Sequence, residues 1–155
     1  MKQGKAISHG EESPWPFRHR DYTVRLRRSL PSTKPALNRA VRNVLAIARR
    51  CHCLPEAEPD LEIALREALA NAIIHGNALR RTKRIFLRCY GSPRAGMLIL
   101  VRDEGPGFDP NGVPDPRDAE RVELDHGRGL LLMRELMDYI EFRKGGREVL
   151  LYKSC

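Results

Sequence analysis

The strand-like runs of this chain come in pairs that lie too close together to run parallel. Ile85-Phe86-Leu87 and Met97–Val101 are joined through Gly91-Ser92-Pro93, and Tyr139–Arg143 and Val149–Tyr152 turn around Gly145-Gly146. A parallel pair needs a crossover of a dozen or more residues, so each of these pairs must be antiparallel. Upstream, Tyr22, Val24 and Leu26 alternate with Thr23, Arg25 and Arg27, the period-two pattern of a half-buried strand. Pro31-Ser32-Thr33 ends it, and Pro35 suits the first turn of a helix. Leu37, Val41, Val44, Leu45 and Ala48 then recur at helical spacing as far as Arg50. After a connector over Leu54–Pro59, Asp60 is placed to cap a second helix running to about Ala78, with Leu61, Leu65, Ala68, Ala72 and Ile73 on its apolar stripe. Leu130–Met137 reads as a third, short helix. This order predicts an α+β fold, a two-layer sandwich in which helices cover one face of a mostly antiparallel sheet.

With 155 residues, 41% of them hydrophobic, the chain closes one core rather than two. Residues 1–19 mix Gly4, Gly10, Pro14 and Pro16 with charges and have no sustained periodicity, so they read as a flexible N-terminal arm ahead of a domain over 20–155. No apolar run approaches the roughly 20 residues of a membrane span, and the polar start lacks a signal-peptide core. A soluble, cytoplasmic protein with no membrane partner is expected. Cys51, Cys53, Cys89 and Cys155 neither repeat nor pair as a disulfide scaffold would, which fits a reducing compartment. Cys51-His52-Cys53 lacks both the usual zinc spacing and a second ligand pair, so it reads as a helix end. Residues 1–50 carry 12 Lys or Arg against 3 acids, which accounts for the whole excess of positive charge. Without aromatic interleaving or a nucleic-acid motif, that asymmetry points to an acidic protein partner and not to direct nucleic-acid binding.

The chemistry gathers around the long stretch from Asp103 to Gly129, crowded with Pro, Gly and Asp. Loops longer than about 12 residues inside a compact domain are usually functional or mobile. This one opens with Asp103-Glu104-Gly105-Pro106-Gly107-Phe108 and closes with Gly127-Arg128-Gly129-Leu130. Glycines at both hinges let backbone approach a ligand, and the second pair leads into a helix whose free N–H groups suit a phosphate. A carboxylate at Asp103 accepts a hydrogen bond from an amine on a flat heterocycle. On the second helix Glu67, Asn71 and His75 stack four residues apart. Glu67 suits a general base, and Asn71 offers an amide oxygen to Mg²⁺. Taken singly, each has a plainer reading: a solvated helix charge for Glu67, a surface amide for Asn71, turn residues for Asp103 and the glycines. His75 reads as a packed or helix-C-terminal histidine, His126 stays open between the two roles, and Arg117 and Arg121 read as solvated loop charges.

Together, Glu67-Ala-Leu-Ala-Asn71-Ala-Ile-Ile-His75-Gly76, Asp103-Glu-Gly105-Pro-Gly107-Phe108 and Gly127-Arg-Gly129-Leu130 resemble the N, G1 and G2 boxes of the GHKL ATPases. Asn71-Ala-Ile-Ile-His75-Gly76-Asn77 and Gly129-Leu-Leu-Leu-Met133-Arg-Glu-Leu-Met137-Asp138 are similar to the bacterial anti-sigma factor serine kinases within that superfamily. The likeness runs from about Tyr22 to Tyr152. It implies a Bergerat-type sandwich in which Asp103 binds the adenine amine of ATP or ADP, Asn71 coordinates Mg²⁺ and Glu67 is the catalytic base. Gly105, Gly107, Gly127 and Gly129 would form the nucleotide pocket and lid hinges, Arg128 would lie near the phosphates, and Phe108 and Leu130 would complete the cofactor-binding set. Kinases of this kind phosphorylate a serine or threonine on an anti-anti-sigma antagonist, sequester a sigma factor, and commonly form homodimers. The lid departs from the pattern in carrying Pro110, Pro114 and Pro116 with several acids and no lysine.

The resemblance therefore implies an ATP- and Mg²⁺-dependent protein serine/threonine kinase that is also an anti-sigma factor. A nucleotide-gated binding module with little kinase turnover stands as the alternative. A histidine-kinase fragment fits less well, because His9 and His19 sit in the irregular arm and not in a dimerisation helix.

Overall fold

A computed structural model describes residues 21–53, 55–112 and 125–155. Five strands form one sheet: β1 (Val24–Pro31), β2 (Arg84–Ser92), β3 (Gly96–Arg102), β4 (Tyr139–Arg143) and β5 (Glu148–Lys153). Their spatial order is β1-β2-β3-β5-β4, and every neighbouring pair is antiparallel. Three helices, α1 (Lys34–Arg50), α2 (Glu58–Asn71) and α3 (Asp125–Leu136), pack on one side of it. The expected α+β two-layer sandwich is the observed fold.

The core lies between the layers. Every second residue of β2 and β3, including Ile85, Leu87, Cys89, Met97, Ile99 and Val101, points at the apolar stripes of the helices. From α2 come Leu61, Leu65 and Leu69, all fully buried, and from α1 Val41 and Val44. Each such side chain contributes about 1.5–3 kcal/mol relative to remaining in water. Among the described residues no helix is long and apolar enough to cross a membrane.

Several boundaries differ from the sequence reading. β1 starts at Val24, because Tyr22 is buried on the opposite side of the sheet from the helices. α1 begins one residue early, capped by Thr33, whose Oγ1 accepts a hydrogen bond from the Ala36 N–H at 3.4 Å. α2 begins at Glu58 and not after Asp60. Pro59 occupies its first turn, no side chain caps it, and Asp60 instead lies 3.9 Å from the Lys153 ammonium. α2 also stops at Asn71, giving way to a π-helical turn over Ala72–Gly76. α3 starts five residues before the expected Leu130, so Gly127 and Gly129 lie inside a helix. Glycine costs a helix about 1 kcal/mol relative to alanine, and packing against α2 accounts for its presence at 129.

The cysteine reading is corrected outright. Cys53 and Cys155 form a disulfide across 102 residues, with Cα atoms 5.1 Å apart, while Cys51 and Cys89 are free and buried. Spacing along the chain cannot reveal a pair that the sheet brings together only after folding. On α1, Arg39, Arg42 and Arg49 are exposed, and Arg49 is paired with Glu58, with Nε 3.1 Å from both carboxylate oxygens. The arm over 1–19, Arg117, Arg121, Pro114 and Pro116 lie outside the described residues.

Candidate functional site

Between α2, α3 and the ends of β3, β4 and β5 lies a cleft of about 510 Å³. Ligand pockets of roughly 300–1,000 Å³ take molecules of drug or nucleotide size. Ala72, Val101, Leu130, Met133, Phe142 and Val149 form its apolar walls, and Asn71, His75, Asp103, Asp109 and Arg147 bring polar groups to it.

Asp103 immediately follows β3 and is held from three sides. Its N–H donates to the Arg147 carbonyl at 3.0 Å, its Oδ1 accepts from the Gly105 N–H at 2.7 Å, and Gly76 lies against its carboxylate. A Cβ at Gly76 would fall 2.2 Å from Asp103 Cγ, so only glycine leaves room for the acid. Burial raises the Asp103 pKa above the usual carboxylate range, with the Gly105 N–H, Arg147 and Lys83 pulling it back in part.

The glycines of the first box do similar work on the backbone. A Cβ at Gly105 would lie 2.0 Å from the Gly76 carbonyl oxygen. Gly107, at φ +81°, packs on the β4–β5 turn, where its own Cβ would meet the Gly145 carbonyl oxygen at 2.0 Å. The Phe108 N–H donates to that same carbonyl at 2.9 Å, and the Phe108 ring meets Phe142 edge-on at 5.4 Å. The start of the long loop is thus fastened to the hairpin, and Gly107 and Phe108 both reach the cleft.

The helical half is built by α2 and its π turn. Asn71 lines the cleft, with Glu67 one turn earlier on the same helix. Opposite them stands Gly129 of α3, where a Cβ would lie 2.6 Å from Glu67 Oε2 and 3.6 Å from Asn71 Nδ2. The π turn adds a residue to the helical circuit, a device found often at functional sites, and His75 and Gly76 both border the cleft. Leu130 faces the cleft, Arg128 is exposed, and Gly127 lies in the first turn of α3.

Asp103, Asn71, Gly107, Phe108 and Leu130 therefore meet around one cavity. Glu67, Gly105 and Gly129 are not among its lining residues: Gly129 packs against Glu67 beside Asn71, Gly105 packs against Gly76, and Arg128 is exposed. The sequence reading passed over Asn77, which is fully buried. Its Nδ2 donates to Ser32 Oγ at 2.7 Å and the Arg84 carbonyl at 2.9 Å, while its Oδ1 accepts from the Glu104 N–H at 2.8 Å. One amide thus ties the end of α2 to β2 and to the loop that carries Asp103. The only signal for it in the sequence was its place directly after His75-Gly76.

The residues present suit an adenine nucleotide. A carboxylate among the lining residues of a largely apolar cleft accepts a directed hydrogen bond, and the apolar walls take a ring. The N–H groups of a helix N-terminus suit a phosphate, and α3 begins at Asp125. A family model described as the histidine kinase-like ATPase domain matches residues 30–153. No curated protein matches the sequence. With that match over most of its length, laid on an antiparallel sheet backed by three helices, the chain belongs to the histidine kinase-like ATPase domain family, an ATP-binding family.

Proposed function

We propose that this domain is an ATP- and Mg²⁺-dependent protein serine/threonine kinase and anti-sigma factor, which phosphorylates an anti-anti-sigma antagonist and sequesters a sigma factor. The observation that carries the nucleotide part is the half-buried Asp103 carboxylate, packed against Gly76 and lining an apolar cleft. The kinase part rests on Glu67 standing one helical turn from Asn71, which lines the same cleft, together with the box resemblance. Asp103 accepts the hydrogen bond that selects the base. Asn71 would hold Mg²⁺ through its amide oxygen, and the ion would supply charge to offset that of the phosphates. Glu67 accepts the proton of the acceptor hydroxyl. Phosphoryl transfer needs positioning and charge neutralisation more than covalent help, so this is sufficient machinery.

Sigma factor, antagonist and a homodimer come from the resemblance, and the exposed Arg39 and Arg42 on α1 give an acidic partner a surface to meet. The role belongs in the cytoplasm. Glu67→Gln should leave Mg-ATP affinity within a small factor and cut phosphorylation of the antagonist by about 10² or more, while Asn71→Ala should lose the dependence on magnesium. Calorimetry paired with labelled-ATP transfer checks both. A fully active Glu67→Gln removes the base, and nucleotide binding with no transfer in the unsubstituted protein leaves a nucleotide-gated binding module.

A further inference from the structure

A groove separate from the nucleotide cleft lies over the first turn of α1, the end of α2 and the corner that follows it. It holds about 620 Å³ and shares no lining residue with the cleft. Leu37, Ile74 and Leu79 bring apolar surface to it, Lys34, Arg66 and Arg81 bring positive charge, and among the described residues no acid lines it. Leu79 is 64% exposed and Ile74 47%. Leu79 is nevertheless held in place. Its N–H donates to the Ile73 carbonyl at 2.9 Å, and its φ of 59° lies in the left-handed region that a leucine seldom adopts. A corner that fixes a strained residue, and leaves its apolar side chain outside the core, points to a binding surface.

Charge is unbalanced in the same place. The N-terminal turn of a helix favours acids, because the macrodipole is positive there, yet α1 has no acid in its first turn and carries Lys34. Arg66 is engaged by Glu62 at 2.8 Å and by Asn38 Oδ1 at 3.0 Å, which leaves Lys34 and Arg81, both exposed, as the cations the groove offers. We propose that this groove docks an acidic segment of another protein, which sets carboxylates against Lys34, Arg81 and the start of α1 and apolar side chains against Ile74 and Leu79. Apolar anchors supply the hold in such a site, and the cations select the partner and speed its encounter. A second copy of this chain is the poorer occupant, since a net charge of +8 brings like charge to a basic groove. The docking site goes beyond the kinase reading and does not depend on it.

Fluorescence anisotropy of the full chain with a labelled amphipathic peptide of glutamate and leucine tests this, against a twin in which lysine replaces glutamate. The glutamate peptide should bind about tenfold or more tighter than its twin, and less tightly as salt rises. Arg81→Glu and Leu79→Asn should each weaken it severalfold. Both change exposed side chains, and asparagine tolerates the left-handed backbone at 79, which keeps folding out of the result. Arg94→Glu reverses an exposed charge in the β2–β3 turn, and Ile63→Gln removes an exposed apolar side chain from α2 outside the groove; both should change binding far less. No binding of the glutamate peptide, or equal binding of its twin, overturns the proposal. Equal losses from Arg81→Glu and Arg94→Glu, or from Leu79→Asn and Ile63→Gln, overturn it too. A dimer in sedimentation that Leu79→Asn dissociates gives the groove to a second copy and overturns it as well. No nucleotide enters the assay, so its failure leaves the kinase reading untouched.

Discussion

Asp103 is held in a state that works against folding. Its carboxyl ionises at higher pH in the folded chain than in the unfolded one, chiefly because burial disfavours the charge. For an acid shifted in that direction the contribution to stability is complete below the unfolded value of about 3.8 and is withdrawn as pH rises through the higher folded value. At neutral pH the fold therefore carries a cost at this residue, which a ligand hydrogen-bonded to the carboxylate would offset. Asp103→Asn keeps an oxygen to accept from the Gly105 N–H and loses the charge. It should melt at a higher temperature than the unsubstituted protein at pH 7, with the difference closing toward pH 3–4. The same substitution should weaken ATP and ADP by about 1.5–3 kcal/mol, the value of a hydrogen bond to a charged group. Melting curves at both pH values and calorimetry at neutral pH read the two effects, which have opposite signs.

At the scale of elements, the site depends on how α2 ends. An uninterrupted α-helix would continue the phase of Glu67 and Asn71, whereas the π turn ends it with the Asn77 N–H donating to the Ala72 carbonyl at 2.8 Å and brings Gly76 against Asp103. Ala78 and Leu79, at φ 50° and 59°, then turn the chain toward β2 in a region that non-glycine residues seldom adopt. Asn77 holds this corner through three hydrogen bonds from one buried side chain. Asn77→Ala leaves the Glu104 N–H, Ser32 Oγ and Arg84 carbonyl without that partner, so it should destabilise the protein by about 2–4 kcal/mol in urea denaturation. Nucleotide affinity should fall with it even though Asn77 does not line the cleft, because Glu104 adjoins Asp103. Unchanged affinity in the folded variant would make the corner structural only.

For the whole molecule, the Cys53–Cys155 bridge joins the α1–α2 connector to the chain end beyond β5 and closes a 102-residue separation. Constraining the unfolded chain over such a loop is worth about 3–5 kcal/mol on the loop-entropy account. Dithiothreitol should lower the melting temperature of the oxidised protein, and Cys155→Ser should start at the lower value and ignore the reductant. The distribution of charge gives a second test. No residue of α1 lines the cleft, so Arg39→Glu with Arg42→Glu should slow association with an acidic partner, more at low salt than at high, and leave ATP affinity alone. Stopped-flow association at two salt concentrations, alongside calorimetry, reads both halves.

What could be read without coordinates was what neighbours along the chain impose on each other. The spacing of Ile85–Leu87 from Met97–Val101 forced an antiparallel pair, the stripes of α1 and α2 showed which sides face inward, and the box resemblance directed attention to Asp103, Asn71 and the glycines. Of the expected set, Asn71, Asp103, Gly107, Phe108 and Leu130 line one cleft, whereas Glu67, Gly105 and Gly129 are not among its lining residues and Arg128 is exposed. Contacts between residues far apart in the chain left no such trace. The fit of Gly76 against Asp103 joins the end of α2 to the end of β3, and the bonds of Asn77 reach Ser32, Arg84 and Glu104. Cys53 finds Cys155 only because both flank the finished sheet. Likewise, Tyr22 alternates correctly with Val24 and Leu26 but lies on the other side of the sheet, where Leu150 and Tyr152 are brought to it by β5. Periodicity records which side of an element is apolar; which distant surface covers it is decided by strand order and register, and those exist only in the folded molecule.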